Sequence, residues 1–271
     1  MELLRANNLS KVYRTERGWL AAKVPSVQAV SQVNLSLAPG ENLGLVGESG
    51  CGKSTLARLL MGLEKPSSGQ VLYRNMEFTH WKQRQMQAIR GKVQMIFQNS
   101  LAAFNPLFTI EQIIDEPLRN YGWSNSQTRK SRVVETLERV GLGREYLSRL
   151  PHELSGGQLQ RVGIARAIVL QPELVICDEP FSSLDMTLRK QMIDLLKELK
   201  QELGLAYIFI THDLSIVHRL CDSVAVMYQG EIIEKTSGED LLMQAKHPYT
   251  RTLVASVPIQ DPRQRDKYNH I

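Results

Sequence analysis

The chain has 271 residues, of which 42% are hydrophobic and 23% are charged. These fractions are typical of globular domains and exclude disordered chains, collagen-like chains and disulfide-rich scaffolds. The formal net charge of +5 permits an anionic partner such as a nucleotide, a nucleic acid or a lipid surface, but it does not choose among them.

No apolar stretch approaches the ~20 residues that cross a bilayer, since the longest runs are short pieces such as LVIC (174–177) and YIFI (207–210). The N-terminal segment MELLRANNLSKVYR lacks the apolar region and cleavage site of a secretory signal, so we expect the protein to stay in the cytosol. The cysteines Cys51, Cys177 and Cys221 show no CxxC spacing. We therefore expect reduced thiols rather than a disulfide framework or a zinc or iron–sulfur site.

Short β-branched runs alternate with helical patterns, which predicts an α/β fold with a largely parallel sheet. The predicted strands are 33–37, 42–46, 71–73, 93–97, 174–177, 207–210, 224–228 and 231–235. A helix after Leu184 is indicated by apolar residues at spacings of three or four, and Gly204 should end it. Its predicted apolar face comprises Leu184, Leu188, Met192, Leu195, Leu199 and Leu203.

Residues 99–159 differ from the rest, because helical periodicity dominates at 110–121 and 128–140 and turn signals are frequent. We interpret this segment as a helical subdomain inserted into a discontinuous core of residues 1–98 and 160–245. Residues 246–271 form a C-terminal extension in this interpretation, and the polar last ten residues are expected to be a frayed tail.

The segment GESGCGKST (47–55) follows the predicted strand 42–46 and precedes the helical run LARLLMGL, as a phosphate-binding loop requires. Its glycines let backbone N–H groups surround a β-phosphate, Lys53 adds a charge on the β- and γ-phosphates, and the Ser54 hydroxyl would ligate Mg²⁺. The residues predicted to bind the nucleotide here are Gly47, Ser49, Gly50, Cys51, Gly52, Lys53, Ser54 and Thr55. The alternative is a glycine turn that caps a helix. The motif alone leaves kinases, GTPases, helicases and transport ATPases open.

The apolar run LVICDEP (174–180) predicts a strand that ends in Asp178 and Glu179. Acidic residues at the carboxyl end of a parallel strand face the crevice that also holds a phosphate loop. Asp178 is then placed to hold Mg²⁺, and Glu179 to polarise a water in line with the γ-phosphate. The alternative is an exposed acidic turn.

The segment LSGGQLQR (154–161) predicts a helix N-terminus with Ser155 as N-cap and with Gly156 and Gly157 exposing backbone N–H groups. It would be a second anion site in a chain that has one phosphate loop. An ordinary capped helix is the alternative.

These residues together resemble the ATP-binding subunits of ABC transporters over nearly the whole chain. The motifs that carry the resemblance are GESGCGKST (Walker A), Gln98 in QMIFQNS (Q-loop), LSGGQ (signature), LVICDE (Walker B), SSLD at 182–185 (D-loop) and His212 in ITHD (switch). The resemblance implies a P-loop NTPase core of the ABC ATPase type, with the inserted helical subdomain and a small antiparallel β portion. It implies ATP hydrolysis with ATP and Mg²⁺ as the bound species.

The same resemblance implies roles for residues outside the phosphate loop. Glu179, His212 and Gln98 would act in catalysis, and Gln98 would also approach Mg²⁺. Tyr13 matches the aromatic residue that stacks on adenine, with an ordinary strand tyrosine as the alternative. The residues implied to contact nucleotide outside the Walker A motif are Tyr13, Ser155, Gly156, Gly157, Gln158 and Asp185.

Within the family, FQNSLAAFNP (97–106) and HPYTRTLVASVP (247–258) resemble the peptide and nickel importer branch. Nickel import is favoured at this point, with oligopeptide or dipeptide import as the alternative. The chain departs from the pattern at Asn99, at Ser183 and in the loop 15–27. It has no cysteine after Cys221, so the C-terminal iron–sulfur cluster of some members is not expected.

The resemblance implies two ATPase subunits facing head to tail, with LSGGQ of one closing on the ATP of the other. The second subunit is expected to be a paralogue, with a homodimer as the alternative. Further expected partners are transmembrane permease subunits and, indirectly, an extracytoplasmic solute-binding protein, but no nucleic acid. The expected location is peripheral, at the cytoplasmic face of the inner membrane.

Two other function classes are alternatives to transport. A non-transport ABC-type ATPase acting on DNA or ribosomes usually has a coiled-coil insertion or tandem ATPase halves, and the sequence has neither. A P-loop kinase would leave LSGGQ and His212 without roles. The transported solute lies beyond the sequence, since other subunits recognise it.

Overall fold

The computed structural model describes residues 2–14, 26–97, 104–182, 184–238 and 240–255. The chain forms two compact units. The first unit comprises Met1–Trp81 with Ile208–Ile271, and the second comprises Lys82–Tyr207. The division predicted from the sequence, with a helical subdomain at 99–159 and an extension at 246–271, stays a prediction.

The first unit contains most of the strands. In chain order its elements are β1 (Leu4–Tyr13), β2 (Val27–Leu37), β3 (Asn42–Val46), α1 (Lys53–Leu60), β4 (Ser68–Tyr73), β5 (Met76–Glu77), α7 (Leu214–Leu220), β9 (Ser223–Tyr228), β10 (Glu231–Ser237), α8 (Asp240–Met243) and α9 (Pro248–Ala255). The strand β8 (Ala206–Thr211) carries the chain from the second unit into the first.

Four strands of the first unit form an antiparallel sheet in the order β2-β1-β4-β5. The central strand β1 pairs Leu4 with Leu37 of β2 on one side and with Tyr73 of β4 on the other. This sheet is the expected small antiparallel portion. Sequence patterning missed β1 because Asn8, at φ 47°, and irregular pairing beyond Asn7 break the alternation of apolar and polar residues that identifies a strand.

The strand that leads into the phosphate loop is buried along its whole length. All residues of β3 are buried, and β3 runs parallel to β9 with Gly44 opposite Val224. A strand covered on both faces is continuously apolar, which is why the sequence located 42–46 correctly. The hairpin partner β10 is antiparallel to β9.

The second unit contains most of the helices. Its elements are α2 (Gln83–Arg90), β6 (Val93–Ile96), α3 (Ile110–Asn120), α4 (Ser126–Arg139), short 3₁₀ turns at Arg144–Tyr146 and Pro151–Glu153, α5 (Gly156–Ile168), β7 (Leu174–Asp178) and α6 (Met186–Leu203). Strands β6 and β7 are parallel, with Val93 opposite Leu174. The helices predicted at 110–121 and 128–140 correspond to α3 and α4.

The helix predicted after Leu184 is α6, which ends at Gly204 in the left-handed conformation as expected. Its predicted face needs correction at the start, because Leu184 precedes the helix and Asp185 is its N-cap. Leu188 and Leu203 are only half-buried. The buried face consists of Met192, Ile193, Leu195, Leu196 and Leu199.

The three cysteines, all within the described ranges, are buried and form no disulfide. In the same ranges, no helix is both long enough and apolar enough to cross a membrane. The expected tail at the C-terminus and most of the 15–27 loop lie outside the described residues, and Val27 belongs to β2 rather than to that loop.

Candidate functional site

The phosphate loop of the first unit depends on glycine at both of its ends. Gly47 has φ 151° and Gly52 has φ 110°, a region that side chains disfavour. A Cβ at Gly47 would overlap the carbonyl oxygen of Met227 in β9, and a Cβ at Gly52 would overlap that of Ala29 in β2. The loop is therefore seated directly on the backbones of two strands, and no larger residue fits at either end.

Lys53 is the first residue of α1, and its side chain folds back over the loop. Its ammonium donates to the carbonyl oxygens of Gly47 and Glu48, both at 2.7 Å. The side chain is only 8% exposed. Hydrogen bonds from a charged donor are stronger than neutral ones, so these two carbonyls hold the ammonium beside the first two residues of the loop.

The middle of the loop faces solvent, since Glu48, Ser49 and Gly50 are exposed. Cys51 and Thr55 are buried, and Ser54 is half-buried. The first N–H groups of a helix have no partner within the helix, and they carry its partial positive charge. The loop and the start of α1 thus offer an anion both N–H donors and the Lys53 cation.

Tyr13 lies at the end of β1 and is 37% exposed. Its hydroxyl donates to Glu64 at 2.6 Å, and the Lys11 ammonium lies 5.1 Å from its ring centre. Glu64 is also paired with Arg58 at 2.7 Å. Burial tends to raise the pKa of Glu64, but the Tyr13 hydrogen bond and the charges of Arg58 and Lys11 hold this pKa below its usual value. The tyrosine ring is therefore fixed at its hydroxyl end.

His212 is exposed, in the turn between β8 and α7. The turn is held on both sides of the histidine, because the Asp213 N–H donates to the Thr211 hydroxyl at 3.0 Å and the Asp213 carboxylate accepts from the Ser215 N–H at 3.0 Å. Asp213 is the N-cap of α7. The histidine thus sits at a defined point at the end of a strand.

In the second unit, β7 runs one residue further than predicted and ends at Asp178. Asp178 and Glu179 are both half-buried. Glu179 has φ 48°, an uncommon conformation for a residue with a side chain. Its carbonyl accepts from the Ser182 hydroxyl at 3.1 Å, and the buried Gln160 amide donates to the next carbonyl, that of Pro180, also at 3.1 Å. Side chains from α5 and from the turn itself therefore hold this strained turn in place.

The signature segment forms the start of α5, with Ser155 as N-cap as predicted. The Ser155 hydroxyl accepts from the Gln158 N–H at 3.4 Å, and the Gln158 side chain accepts from the Ser155 N–H at 2.9 Å. Gln158 also donates to the Tyr146 hydroxyl at 2.9 Å. Gly156 is exposed, and a Cβ added there would meet open space, whereas a Cβ at Gly157 would meet the Leu188 side chain.

Asp185, which the resemblance implied would contact nucleotide, is the N-cap of α6 in this structure. One carboxylate oxygen accepts from the N–H groups of Thr187 and Leu188, both at 2.9 Å. The other predicted site residue in this part of the chain, Gln98, lies outside the described residues, as do Asn99 and Ser183.

Sequence reasoning missed the residues that support the site. The Glu64 partner of Tyr13 had no local signal, because it is 51 residues away in the chain. Tyr249, whose hydroxyl accepts from the Glu48 N–H at 2.9 Å, lay within HPYT, a segment interpreted only as a family marker.

The first unit offers the N–H groups of the loop, the Lys53 cation and the Tyr13 ring. The second unit offers the acidic pair Asp178 and Glu179 and a capped helix N-terminus at Gly156. Ser54 in the first unit and Asp178 in the second each carry an oxygen of the kind that suits Mg²⁺.

Two family models match the sequence. The ABC transporter model matches residues 30–182, and the model of the oligopeptide/dipeptide transporter C-terminal region matches residues 233–271. The second match contains HPYT and helix α9.

Similar proteins span most of the chain. The probable peptide ABC transporter ATP-binding protein y4tS of Sinorhizobium fredii (strain NBRC 101917 / NGR234) is 45% identical over 260 residues, covering 96% of this chain and 74% of that protein. The oligopeptide transport ATP-binding protein OppF of Escherichia coli (strain K12) is 46% identical over 245 residues, covering 90% of this chain and 73% of that protein.

The fold is similar to that of the ATP-binding cassette MJ0796, solved as a dimer in a post-hydrolysis state bound to ADP and Pi. The TM-score is 0.76 at 28% identity, covering 86% of this chain and 98% of that chain. The sequence matches and the structural likeness thus point to the same kind of protein.

Proposed function

Because the chain belongs to the ABC transporter family, we propose that it binds and hydrolyses Mg·ATP to drive the import of peptides through separate membrane subunits. One observation carries the choice of peptides: the ABC transporter match and the oligopeptide/dipeptide transporter C-terminal match lie on the same chain. The relatives at 45% and 46% identity are named for peptide and oligopeptide transport. The nickel importer favoured by the sequence alone finds no specific support in these relatives.

The first unit holds the nucleotide in this proposal. The Tyr13 ring stacks on adenine, since the Glu64 bond fixes the ring while leaving it partly exposed. N–H groups of residues 47–55 receive the β- and γ-phosphates, and the Lys53 ammonium, held at the Gly47 carbonyl, adds its charge beside them. Ser54 and Asp178, together with Gln98, would hold Mg²⁺, which would neutralise phosphate charge.

The second unit supplies the group that activates water. Glu179 follows a strand end and is held in a strained turn, as residues that must point in one direction often are. Its carboxylate accepts a proton from the attacking water, and His212 stabilises charge on the γ-phosphate. Gln98 orients the water and the metal.

The signature helix acts on nucleotide bound by another subunit. Gly156 and the first turn of α5 are open to an anion, and the described residues contain one phosphate loop. Two subunits then close head to tail on ATP, with Asp185 beside the interface, and open after hydrolysis. The MJ0796 cassette supports this arrangement, since it was solved as a dimer with ADP and Pi.

A paralogous ATPase is the proposed second subunit, with a homodimer as the alternative. Permease subunits bind the pair, and a solute-binding protein delivers peptide to them. The chain is then peripheral at the cytoplasmic face of the inner membrane, held there by protein contacts.

The test is reconstitution of this chain with its permease and partner ATPase in vesicles. We expect ATP hydrolysis coupled to uptake of short peptides and not of Ni²⁺. The Glu179→Gln variant should still bind Mg·ATP yet lose hydrolysis by at least ~100-fold, whereas Glu198→Gln, on the exposed side of α6, should leave it unchanged. Uptake of Ni²⁺ without peptide uptake would replace the proposed solute, and failure of the unaltered chain to bind ATP would overturn the proposal.

A further inference from the structure

The peptide bond between Gly47 and Glu48 is held at both of its polar ends. Its carbonyl, on Gly47, accepts from the Lys53 ammonium at 2.7 Å. Its N–H, on Glu48, donates to the Tyr249 hydroxyl at 2.9 Å. Because a peptide group is a rigid plane, the hydrogen bond that the Glu48 N–H donates to Tyr249 also fixes the direction of the carbonyl that holds Lys53.

The loop restrains this plane only in part. Gly47 is buried against the Met227 carbonyl of β9, but Glu48, Ser49 and Gly50 are exposed, so few side-chain contacts hold them. Within the loop, the Cys51 N–H donates to the Glu48 carbonyl at 3.4 Å, which is a long hydrogen bond. The hydrogen bond from the Glu48 N–H to Tyr249 is a further restraint, and it comes from outside the loop.

Tyr249 is itself held firmly. Its ring lies against that of Tyr228 in β9, with ring centres 4.3 Å apart. Glu234 of β10 binds the segment before Tyr249. Its carboxylate accepts from the N–H groups of Lys246 at 2.9 Å and His247 at 3.1 Å. Burial raises the pKa of the Tyr249 phenol, so the hydroxyl stays protonated and its oxygen accepts a hydrogen bond at neutral pH.

We propose that Tyr249 is a positioning residue of the ATP site, which holds the Gly47–Glu48 peptide plane and through it the Lys53 ammonium. The segment from Glu234 to α9 then has a role beyond its match to a transporter C-terminal region. It forms an anchor, consisting of Glu234 and Tyr249, that preorganises the phosphate loop. The inference rests on the proposed function, since it concerns the same nucleotide site.

Two substitutions that each remove a single hydroxyl test the inference. Tyr249→Phe keeps the ring contact but removes the acceptor of the Glu48 N–H. Tyr228→Phe keeps the same ring contact and removes a hydroxyl bonded to the exposed Gln229 side chain at 3.1 Å. The measurements are the Mg·ATP dissociation constant of the full chain, and KM and kcat of the assembled transporter.

Tyr249→Phe should raise the dissociation constant and KM for ATP roughly threefold to tenfold, the range set by one lost net hydrogen bond. It should leave kcat within about twofold, because the groups proposed for the chemical step do not contact Tyr249. Tyr228→Phe should leave both parameters unchanged. The denaturant midpoint of Tyr228→Phe should equal that of the unaltered chain, and that of Tyr249→Phe should fall only slightly, by the one lost hydrogen bond. Both variants should still unfold in one cooperative transition, which separates positioning from loss of fold.

Glu234→Gln gives an independent test, since an amide can accept only one of the two N–H groups. It should raise the dissociation constant for ATP by a smaller factor than Tyr249→Phe does. The double variant should have the same dissociation constant for ATP as Tyr249→Phe alone, because Glu234 acts on the loop through the Tyr249 hydroxyl. Additive effects of the two substitutions would contradict the anchor.

The outcomes separate this inference from the function it depends on. Equal ATP affinity in Tyr249→Phe and Tyr228→Phe, with the unaltered chain binding ATP, would overturn the anchor alone. A fall in kcat with KM unchanged would also overturn it. An unaltered chain that does not bind Mg·ATP would overturn the proposed function and the anchor with it.

Discussion

The starts of helices α1 and α5 are similar in sequence and different in construction. Each has glycines just before or within its first turn, and each offers N–H groups to an anion. At α1 the N-cap is Gly52, which has no side chain with which to cap, and Lys53 closes over the loop. At α5 the cap is Ser155, joined to Gln158 by two reciprocal hydrogen bonds.

The two helix starts differ in how much of an anion site their own unit supplies. The glycines of the α1 loop pack against the backbones of β9 and β2, which places the loop and Lys53 together in the first unit. Among the described residues, no atom beyond the chain neighbours of Gly156 and the backbone of its own helix lies within 4 Å of the place where a Cβ would be. The cap of α5 is satisfied without a ligand, and the proposed function assigns its ligand to another subunit.

Of the substitutions at the two helix starts, removal of the Lys53 cation should have the largest effect. Lys53→Ala should abolish ATP turnover and weaken ATP binding, because the β- and γ-phosphates lose their charged donor. The sequence alone gives this lysine no structural role, but it is buried with two carbonyl partners. We therefore also expect a loss of about 1–2 kcal/mol in unfolding free energy.

The control for this variant is Lys65→Ala, which removes an exposed lysine of the same unit. Nucleotide affinity, turnover and urea unfolding should all be unchanged in the control. Normal ATP turnover by Lys53→Ala would contradict the proposal that the α1 loop binds phosphate through this cation.

A charge at Gly156 tests whether the α5 start works across an interface. In the assembled complex, Gly156→Asp places a carboxylate where a γ-phosphate must dock, and repulsion should block closure and turnover. Binding of ATP by the isolated mutant subunit should persist. Gly156→Asn has nearly the same size without the charge and should retain far more turnover. Loss of ATP binding by the isolated subunit would show that the signature does not act in trans.

The same glycine-to-alanine change should have opposite consequences at the two helix starts. Gly52→Ala should lower the unfolding free energy by roughly 2–4 kcal/mol, because its φ of 110° and the Ala29 carbonyl both exclude a Cβ. Gly156→Ala should be neutral or stabilise by up to about 1 kcal/mol, since the site is open and alanine favours helix. Urea midpoints compare the two, and equal midpoints would mean that the α1 loop is not seated on strand backbones.

The smallest expected effect concerns the cap. Ser155→Ala removes the oxygen that accepts from the Gln158 N–H and should cost about 1 kcal/mol of unfolding free energy. Ser155→Asp, which can still cap, should restore that stability while impairing turnover, since it adds charge beside the proposed phosphate site. A Ser155→Asp variant with normal turnover would indicate that Ser155 serves only as a helix cap.

The parts of the molecule that sequence predicted well are governed by local patterns. Strand 42–46 was located to the residue because burial on both faces leaves a continuous apolar run. Gly204 was recognised as the end of α6 because a left-handed C-cap favours glycine. Ser155 was recognised as a cap because serine is a favoured N-cap residue and stands directly before the predicted helix.

Prediction failed where the partner of a residue was distant or where one residue broke the period. Strand β1 was missed because Asn8, in the left-handed region, interrupts the alternation of burial. Leu184 was assigned to the face of α6 because its spacing fits. The helix itself begins at Met186, after the N-cap Asp185. Spacing describes which residues share a face, but capping hydrogen bonds decide where the helix begins.

The sequence alone indicated the family, because six ordered motifs from GESGCGKST to His212 resemble those of ABC transporter ATPases. The glycines, lysine and serine of the first motif also predicted a phosphate loop, since they are neighbours in the chain. Only the tertiary structure decided which residues stabilise that loop. Tyr249 meets Glu48 across 201 positions of sequence, and Glu64 meets Tyr13 across 51. Contacts of this kind arise when segments far apart in the chain are brought together by folding, and no local pattern encodes them.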